Sequence, residues 1–284
     1  MDQIRQEPRV SDGGTAMRLI IVGDGLAGRW LSKTAVEAGH EVVVLADGQP
    51  SADIAALAML RPSYLGKEER KLLLPSLKAW EDAGVEVLRG ATVTRWNNDS
   101  VKEQADWFAI DPKLPEVEVA ERASGRASVV EPKLAWVGAK YFVGDAVIRC
   151  DGGGGGRRTY GSTWVNKNRE ELKIDGNFAV HHVAPYKALA GVKYRTHARF
   201  GSSSAADLNK AIAQADKFFD IALQLGWING TGHGWQRIDG TRLLRDPYLS
   251  RDHLGWRWSG FHRNGFGLVP ALAGEVLSEM EVLL

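Results

Sequence analysis

An α/β fold carrying a second, antiparallel sheet is what the order of elements in this sequence predicts, on three observations. The first structured stretch is an apolar run, 18–22, joined through glycines and a helical segment to a second apolar run, 41–45. Most of the middle of the chain reads as β-rich runs separated by turn residues. A long amphipathic helix and a closing helix come near the end. Strand–helix–strand alternation builds a parallel sheet, whereas consecutive strands build an antiparallel one.

The opening unit is the most informative. Arg18-Leu19-Ile20-Ile21-Val22 suits a buried parallel strand, and Gly23-Asp24-Gly25-Leu26-Ala27-Gly28 follows as a G-x-G-x-x-G. Residues 30–38 continue as a helix that Gly39 stops, Glu41-Val42-Val43-Val44-Leu45 is the next strand, and Asp47 lies just past its end. This is the strand–turn–helix setting that the glycine pattern needs to mean dinucleotide binding. Gly23 allows the sharp turn, Gly25 lets a pyrophosphate touch backbone, and Gly28 lets helix and strand pack closely. The helix start offers free N–H groups and the positive dipole end. Asp47 is the acid for a ribose 2′-hydroxyl, one residue later than the usual position, which Ala46 holds. The pattern fits FAD and NAD equally, and the bland alternative is a Rossmann-like turn that binds nothing.

Composition narrows the classes. With 284 residues, 44% hydrophobic and 25% charged, the chain is an ordinary globular protein of one large or two small domains. A net charge of +1 gives no bulk attraction to nucleic acid or membrane. Cys150 is the only cysteine, so there is no internal disulfide and no cysteine metal cluster; it fits a reducing, cytoplasmic compartment. No apolar run approaches a membrane span. Residues 1–16 are polar and read as a flexible leader. Ten tryptophans point to core or pocket walls.

Along the chain, 52–59 looks like a small-residue helix ended by Arg61-Pro62. Residues 68–83 form a helix that Pro75 kinks or splits. Residues 85–88, 92–96 and 107–110 are strands, 116–128 is hard to read, and 136–137 and 141–143 are short strands. The strand 146–150 runs into Gly152 to Gly156, either a linker or a loop pressed against a flat ligand. Residues 160–165, 178–183 and 192–200 read as antiparallel strands. His181 and His182 are adjacent on a strand, so they face opposite ways and do not suggest a metal site. Residues 205–225 form the clearest amphipathic helix, with Ser204 as N-cap and Gly226 as C-cap. A strand at 256–260, a glycine-bearing loop at 261–270 and a final helix at 271–284 complete the chain.

The run Gly260-Phe261-His262-Arg263-Asn264-Gly265-Phe266-Gly267-Leu268-Val269-Pro270-Ala271 resembles the closing motif of the D-amino-acid oxidase superfamily, and glycine oxidases most closely. Tyr160-Gly161-Ser162-Thr163 and Gly240-Thr241-Arg242 resemble that family's G-[AS]-T strand and G-x-R segment, in family order. Leu45-Ala46-Asp47 together with Ala58-Met59-Leu60-Arg61-Pro62 resembles the FAD oxidase domain of the tRNA carboxymethylaminomethyl-uridine modifying enzymes.

The resemblance implies a Rossmann-type FAD-binding domain (17–90, 140–160 and 236–284) with an inserted, reduced antiparallel-sheet substrate domain (91–139 and 161–235). It implies FAD at Gly23, Gly25, Leu26, Ala27, Gly28, Asp47 and Arg61, with the flavin ring near Gly265, Phe266, Gly267 and Leu268. The final helix would direct its N-terminus at the ring. The activity implied is oxidation of a glycine-type amine, which asks the protein to hold a C–H against the flavin. Arg263 and Arg242 are candidates for gripping the substrate carboxylate, with His262 lining the pocket. The bland role for Arg242 is an ion pair with Asp239 or Asp246. The substrate is either a free small amino acid or a glycine unit on a nucleobase. Residues 187–263 carry twice as many Lys/Arg as Asp/Glu, interspersed with Trp227, Trp235, Trp256 and Trp258, a pattern that suits nucleic acid or a solvated face over core. A non-catalytic FAD-binding protein and an NAD-dependent reductase are the readings of another class; a second nucleotide-binding glycine pattern would favour the reductase, and none is evident.

Overall fold

The computed structural model describes residues 15–48, 53, 55–97, 100–150, 152, 158–167, 178–180, 191–193, 198–228, 234–243, 249–259, 261 and 265–284. Most of the expected leader and of the glycine run, together with His181 and His182, lie outside these residues.

The apolar run Arg18–Val22 forms β1, the glycine loop leads into α1 (Leu26–Glu37), and Glu41–Ala46 forms β2. The register is parallel, Leu19 opposite Val42 and Val22 opposite Leu45. Next come β3 (Met59–Leu60), a 3-10 turn at Pro62–Tyr64 and α2 (Lys67–Asp82). The expected helix over 52–59 is absent: Asp53 and Ala55 lie in a turn, and Met59 and Leu60 pair with a later strand. Small residues permit a helix but do not supply the apolar stripe that would hold one in place. Pro75 sits inside α2 without dividing it.

The sequence continues through β4 (Val87–Asn97), β5 (Ser100–Ile110), β6 (Glu121–Ser124), β7 (Ala127–Glu131), β8 (Leu134–Val137), β9 (Lys140–Val143) and β10 (Ala146–Arg149). Then follow β11 (Arg158–Asn166), β12 (Phe178–Val180), β13 (Gly191–Lys193), β14 (Ala198–Ala205) and α3 (Leu208–Gln224). The chain closes with β15 (Trp235–Leu243), β16 (Leu249–Asp252), β17 (Gly255–Trp258) and α4 (Gly265–Leu283). The two runs expected at 85–88 and 92–96 are one strand, with irregular register around Gly90. Asp207, rather than Ser204, caps α3, its carboxylate accepting from the Lys210 amide at 2.8 Å.

A six-stranded sheet has the order β16-β17-β10-β1-β2-β6, parallel except at the β16 edge. Its central strands are buried on both faces, which is why they read as unbroken apolar runs. Leu19, Ile21, Val42 and Val44 face α1, α2 and α4. Ile20, Val22, Val43 and Leu45 face the three-stranded sheet β7-β8-β9. The second large sheet has the order β15-β11-β14-β13-β12-β4-β5-β3 and is antiparallel except for the β12–β4 pair. Helix α3 covers one of its faces through Phe200, Phe219, Ala222 and Trp235.

The strand β6 pairs with β2, and β7 to β9 pack on the parallel sheet. The strands β11 and β15 pair along their length in the antiparallel sheet. A short polar strand such as Glu121–Ser124 carries in its sequence no sign of which sheet it joins.

Candidate functional site

The glycine loop is shaped as the motif requires. Gly23 has φ 109°, a left-handed value that suits glycine, and its amide donates to the Leu45 carbonyl at 2.8 Å. Gly25 precedes the first turn of α1 in extended conformation, and that turn carries no acid of its own. A Cβ on Gly28 would sit 2.0 Å from the Gly23 carbonyl oxygen and 3.5 Å from the Cβ of Cys150, so strand, loop and helix close up only with glycine there. Cys150 is buried, outside any disulfide, and fills this packing. Leu26 and Ala27 open the helix, and the Leu26 amide faces the Asp53 carboxylate at 3.4 Å.

Asp47 is the first residue past β2, and the Gly125 amide donates to the neighbouring Ala46 carbonyl. The acid therefore stands at the strand's C-terminal edge despite its one-residue offset. The loop also holds a charge cluster that the glycine pattern does not announce. Arg29 and Arg122 both bind the Asp24 carboxylate, each at 2.7 Å.

The closing helix begins six residues earlier than expected. Gly265, Phe266, Gly267 and Leu268 form its first turn rather than a loop, and Pro270 lies within it. Proline there lacks the amide that would donate to the Phe266 carbonyl four residues back, and a side chain from α2 donates to that carbonyl instead. A Cβ on Gly265 would come 2.9 Å from Leu26 Cδ2, and one on Gly267 would come 2.9 Å from Leu60 Cδ1. Trp80 Nε1 donates to the Phe266 carbonyl at 2.7 Å, and its ring stacks on Phe266 at 5.5 Å. The starts of α1 and α4, far apart in sequence, thus meet at Leu26 and Gly265. Both present positive dipole ends at one place.

A strap, 55–61, crosses from this meeting point to the antiparallel sheet. Thr163 Oγ1 donates to the Ala55 carbonyl at 2.6 Å, and Arg199 Nη1 approaches the Ala56 carbonyl at 3.4 Å. Ala58 adopts φ 49°, strained for a residue with a Cβ, while its carbonyl accepts from the Ile110 amide at 3.0 Å. Arg61 follows Leu60, the residue that touches Gly267, so it lies beside the α4 start.

Of the substrate-side candidates, Arg242 is placed by backbone register opposite Thr159 on the β11–β15 pair. Arg263 and His262 lie outside the described residues. Sequence reasoning missed Arg199, a buried guanidinium on β14 that faces the strap and not α3. The signal was there: Ala198 and Phe200 flank it, and alternation sends an arginine between two core residues to the other face. Near it, burial raises the Asp111 carboxyl above the usual carboxylate range, against the pull of Arg199. Trp235, Trp256 and Trp258 are core residues, and Trp227 is partly buried against Leu57, Phe218 and Ile221. Among the described residues no group of His, Cys, Asp and Glu is arranged for a metal, and no helix is long and apolar enough to cross a membrane.

Neither a family model nor a curated relative matches the sequence. Solved structures match the fold over nearly the whole chain. An L-proline dehydrogenase from P. horikoshii aligns with TM-score 0.64 and 10% identity, over 94% of this chain and 94% of that one. A glycine oxidase from Bacillus cereus aligns with TM-score 0.61 and 13% identity, over 93% and 96%. An iminodiacetate oxidase from Chelativorans sp. aligns with TM-score 0.62 and 12% identity, over 92% and 94%. The fold is therefore that of these oxidoreductases, and each match spans more than nine tenths of both chains.

Proposed function

We propose that this chain is an FAD-dependent oxidoreductase acting on a glycine-type, N-carboxymethyl amine. A hydride leaves the carbon between amine and carboxylate, and water then splits the imine to an amine and glyoxylate. The observation that carries this reading is the meeting of two helix N-termini, at Leu26 and Gly265, beside the strap that joins the two sheets. The likeness of fold to a glycine oxidase and an iminodiacetate oxidase supports it.

The donor set fits a dinucleotide. Amides at the start of α1 bind a pyrophosphate, with the positive dipole end behind them. Asp47 accepts from a ribose hydroxyl. Bound FAD supplies a two-electron acceptor for the hydride. The α4 start stabilises negative charge at its first turn, and buried Phe266 and Leu268 keep water from that side. Arg263, with Arg242 as its partner, grips the substrate carboxylate by a planar fork and fixes the angle of the C–H. His262 lines the pocket beside them.

The substrate is a free small amine such as glycine or sarcosine. The alternative, a glycine unit carried on a pyrimidine in nucleic acid, drew on tryptophans that are now placed in or against the core. The test is the visible spectrum of the purified chain, followed by anaerobic bleaching with glycine, sarcosine and a carboxymethylaminomethyl pyrimidine, free and within an oligonucleotide. Free amines should bleach a bound flavin. Bleaching by the oligonucleotide alone would hand the case to nucleic acid, and a protein that takes up no flavin would end the proposal. Arg263→Ala should slow bleaching about a hundredfold, since two charge-assisted bonds are lost. Arg263→Lys should fall between, keeping the charge without the fork.

A further inference from the structure

The glycine loop carries a charge that binding a pyrophosphate does not call for. Asp24 lies between Gly23 and Gly25, at the mouth of α1, and two arginines hold its carboxylate. Arg29 approaches Oδ1 through Nε at 2.7 Å and Oδ2 through Nη2 at 2.8 Å. Arg122, on β6, approaches Oδ2 at 2.7 Å from beyond β2. Arg29 is anchored further by Nη1 to the Pro115 carbonyl at 3.4 Å. All three side chains remain partly exposed, at 21% for Asp24, 26% for Arg29 and 36% for Arg122, so an arriving ligand can reach them.

A guanidinium grips carboxylate and phosphate with the same planar fork. The Asp24 carboxylate thus occupies groups that suit a phosphate, while adding a negative charge where a dianionic ligand would dock. We propose that Asp24 sets the affinity of the dinucleotide site. It competes with the incoming pyrophosphate for Arg29 and Arg122, so binding is weaker than the two arginines alone would give. This rests on the FAD reading above and concerns the loop rather than the reaction.

The experiment titrates ADP and FAD into the full-length, flavin-stripped chain, by calorimetry and by quenching of flavin fluorescence. Asp24→Asn keeps the shape and removes the charge, and should tighten both ligands about tenfold. Arg122→Ala should weaken both by a similar factor, and the gain from Asp24→Asn should shrink in the double variant. If Asp24 served only to stabilise the α1 start, Asp24→Asn would lower the melting temperature and leave affinity unchanged or weaker, which overturns the proposal. Should Asp24→Asn fail to fold, unchanged binding in Arg122→Ala overturns it equally. Binding of neither ADP nor FAD by any variant removes the FAD reading itself. Binding by the wild type that Asp24→Asn does not tighten removes only this inference.

Discussion

The two helix starts that meet at Leu26 and Gly265 are built from opposite materials. The start of α1 is polar and half-open: two glycines, a carboxylate and two guanidinium groups reaching it from the helix and from β6. The start of α4 is apolar and closed. Every residue from Gly265 to Pro270 is buried, and the turn is pinned by the Trp80 indole and by Ser76 Oγ, which accepts from the Ala271 amide at 3.2 Å. Both ends offer unsatisfied amides. One sits among partly exposed charges, where solvent and salt screen its field. The other keeps its field in a dry surrounding, where the same partial charge acts more strongly.

Three changes break or sharpen this contrast. Gly28→Val should have the largest effect, because an added Cβ would lie 2.0 Å from the Gly23 carbonyl oxygen and no flexible side chain can give way. A loss of about 3 kcal/mol or more is expected, read by urea unfolding, with no nucleotide bound by what folds. Trp80→Phe removes a buried hydrogen bond and part of the stack on Phe266. It should cost about 2 kcal/mol, and the loss should not change between low and high salt. If added salt abolished it, the picture of a dry α4 start would be wrong. Arg29→Ala, at the α1 start, is expected to cost no more than about 1 kcal/mol of stability, since the pair is partly exposed. Its effect should instead appear in nucleotide binding and diminish with salt. A large, salt-independent destabilisation would show the Arg29–Asp24 pair to be structural.

The sequence by itself determined the strand–glycine–helix–strand unit and its acid, because both strands are buried on two faces and glycine has conformations no other residue shares. It also marked the amphipathic α3, whose stripe recurs at helical spacing. Local pattern could not say that 55–58 forms no helix and Met59 joins a strand, that α4 starts at Gly265, or which sheet β6 joins. Those outcomes depend on partners distant in the chain: β5 for Met59 and Leu60, Leu26 and Trp80 for the first turn of α4, and β2 for β6. Arg199 was visible as a charged residue between two apolar ones, but its place by the strap needed the Ala56 carbonyl beside it. Only the tertiary structure decided that the two helix starts and the strap at 55–61 lie together. Backbone amides and dipoles belong to every helix, and they become a binding place only where packing points two of them at one volume.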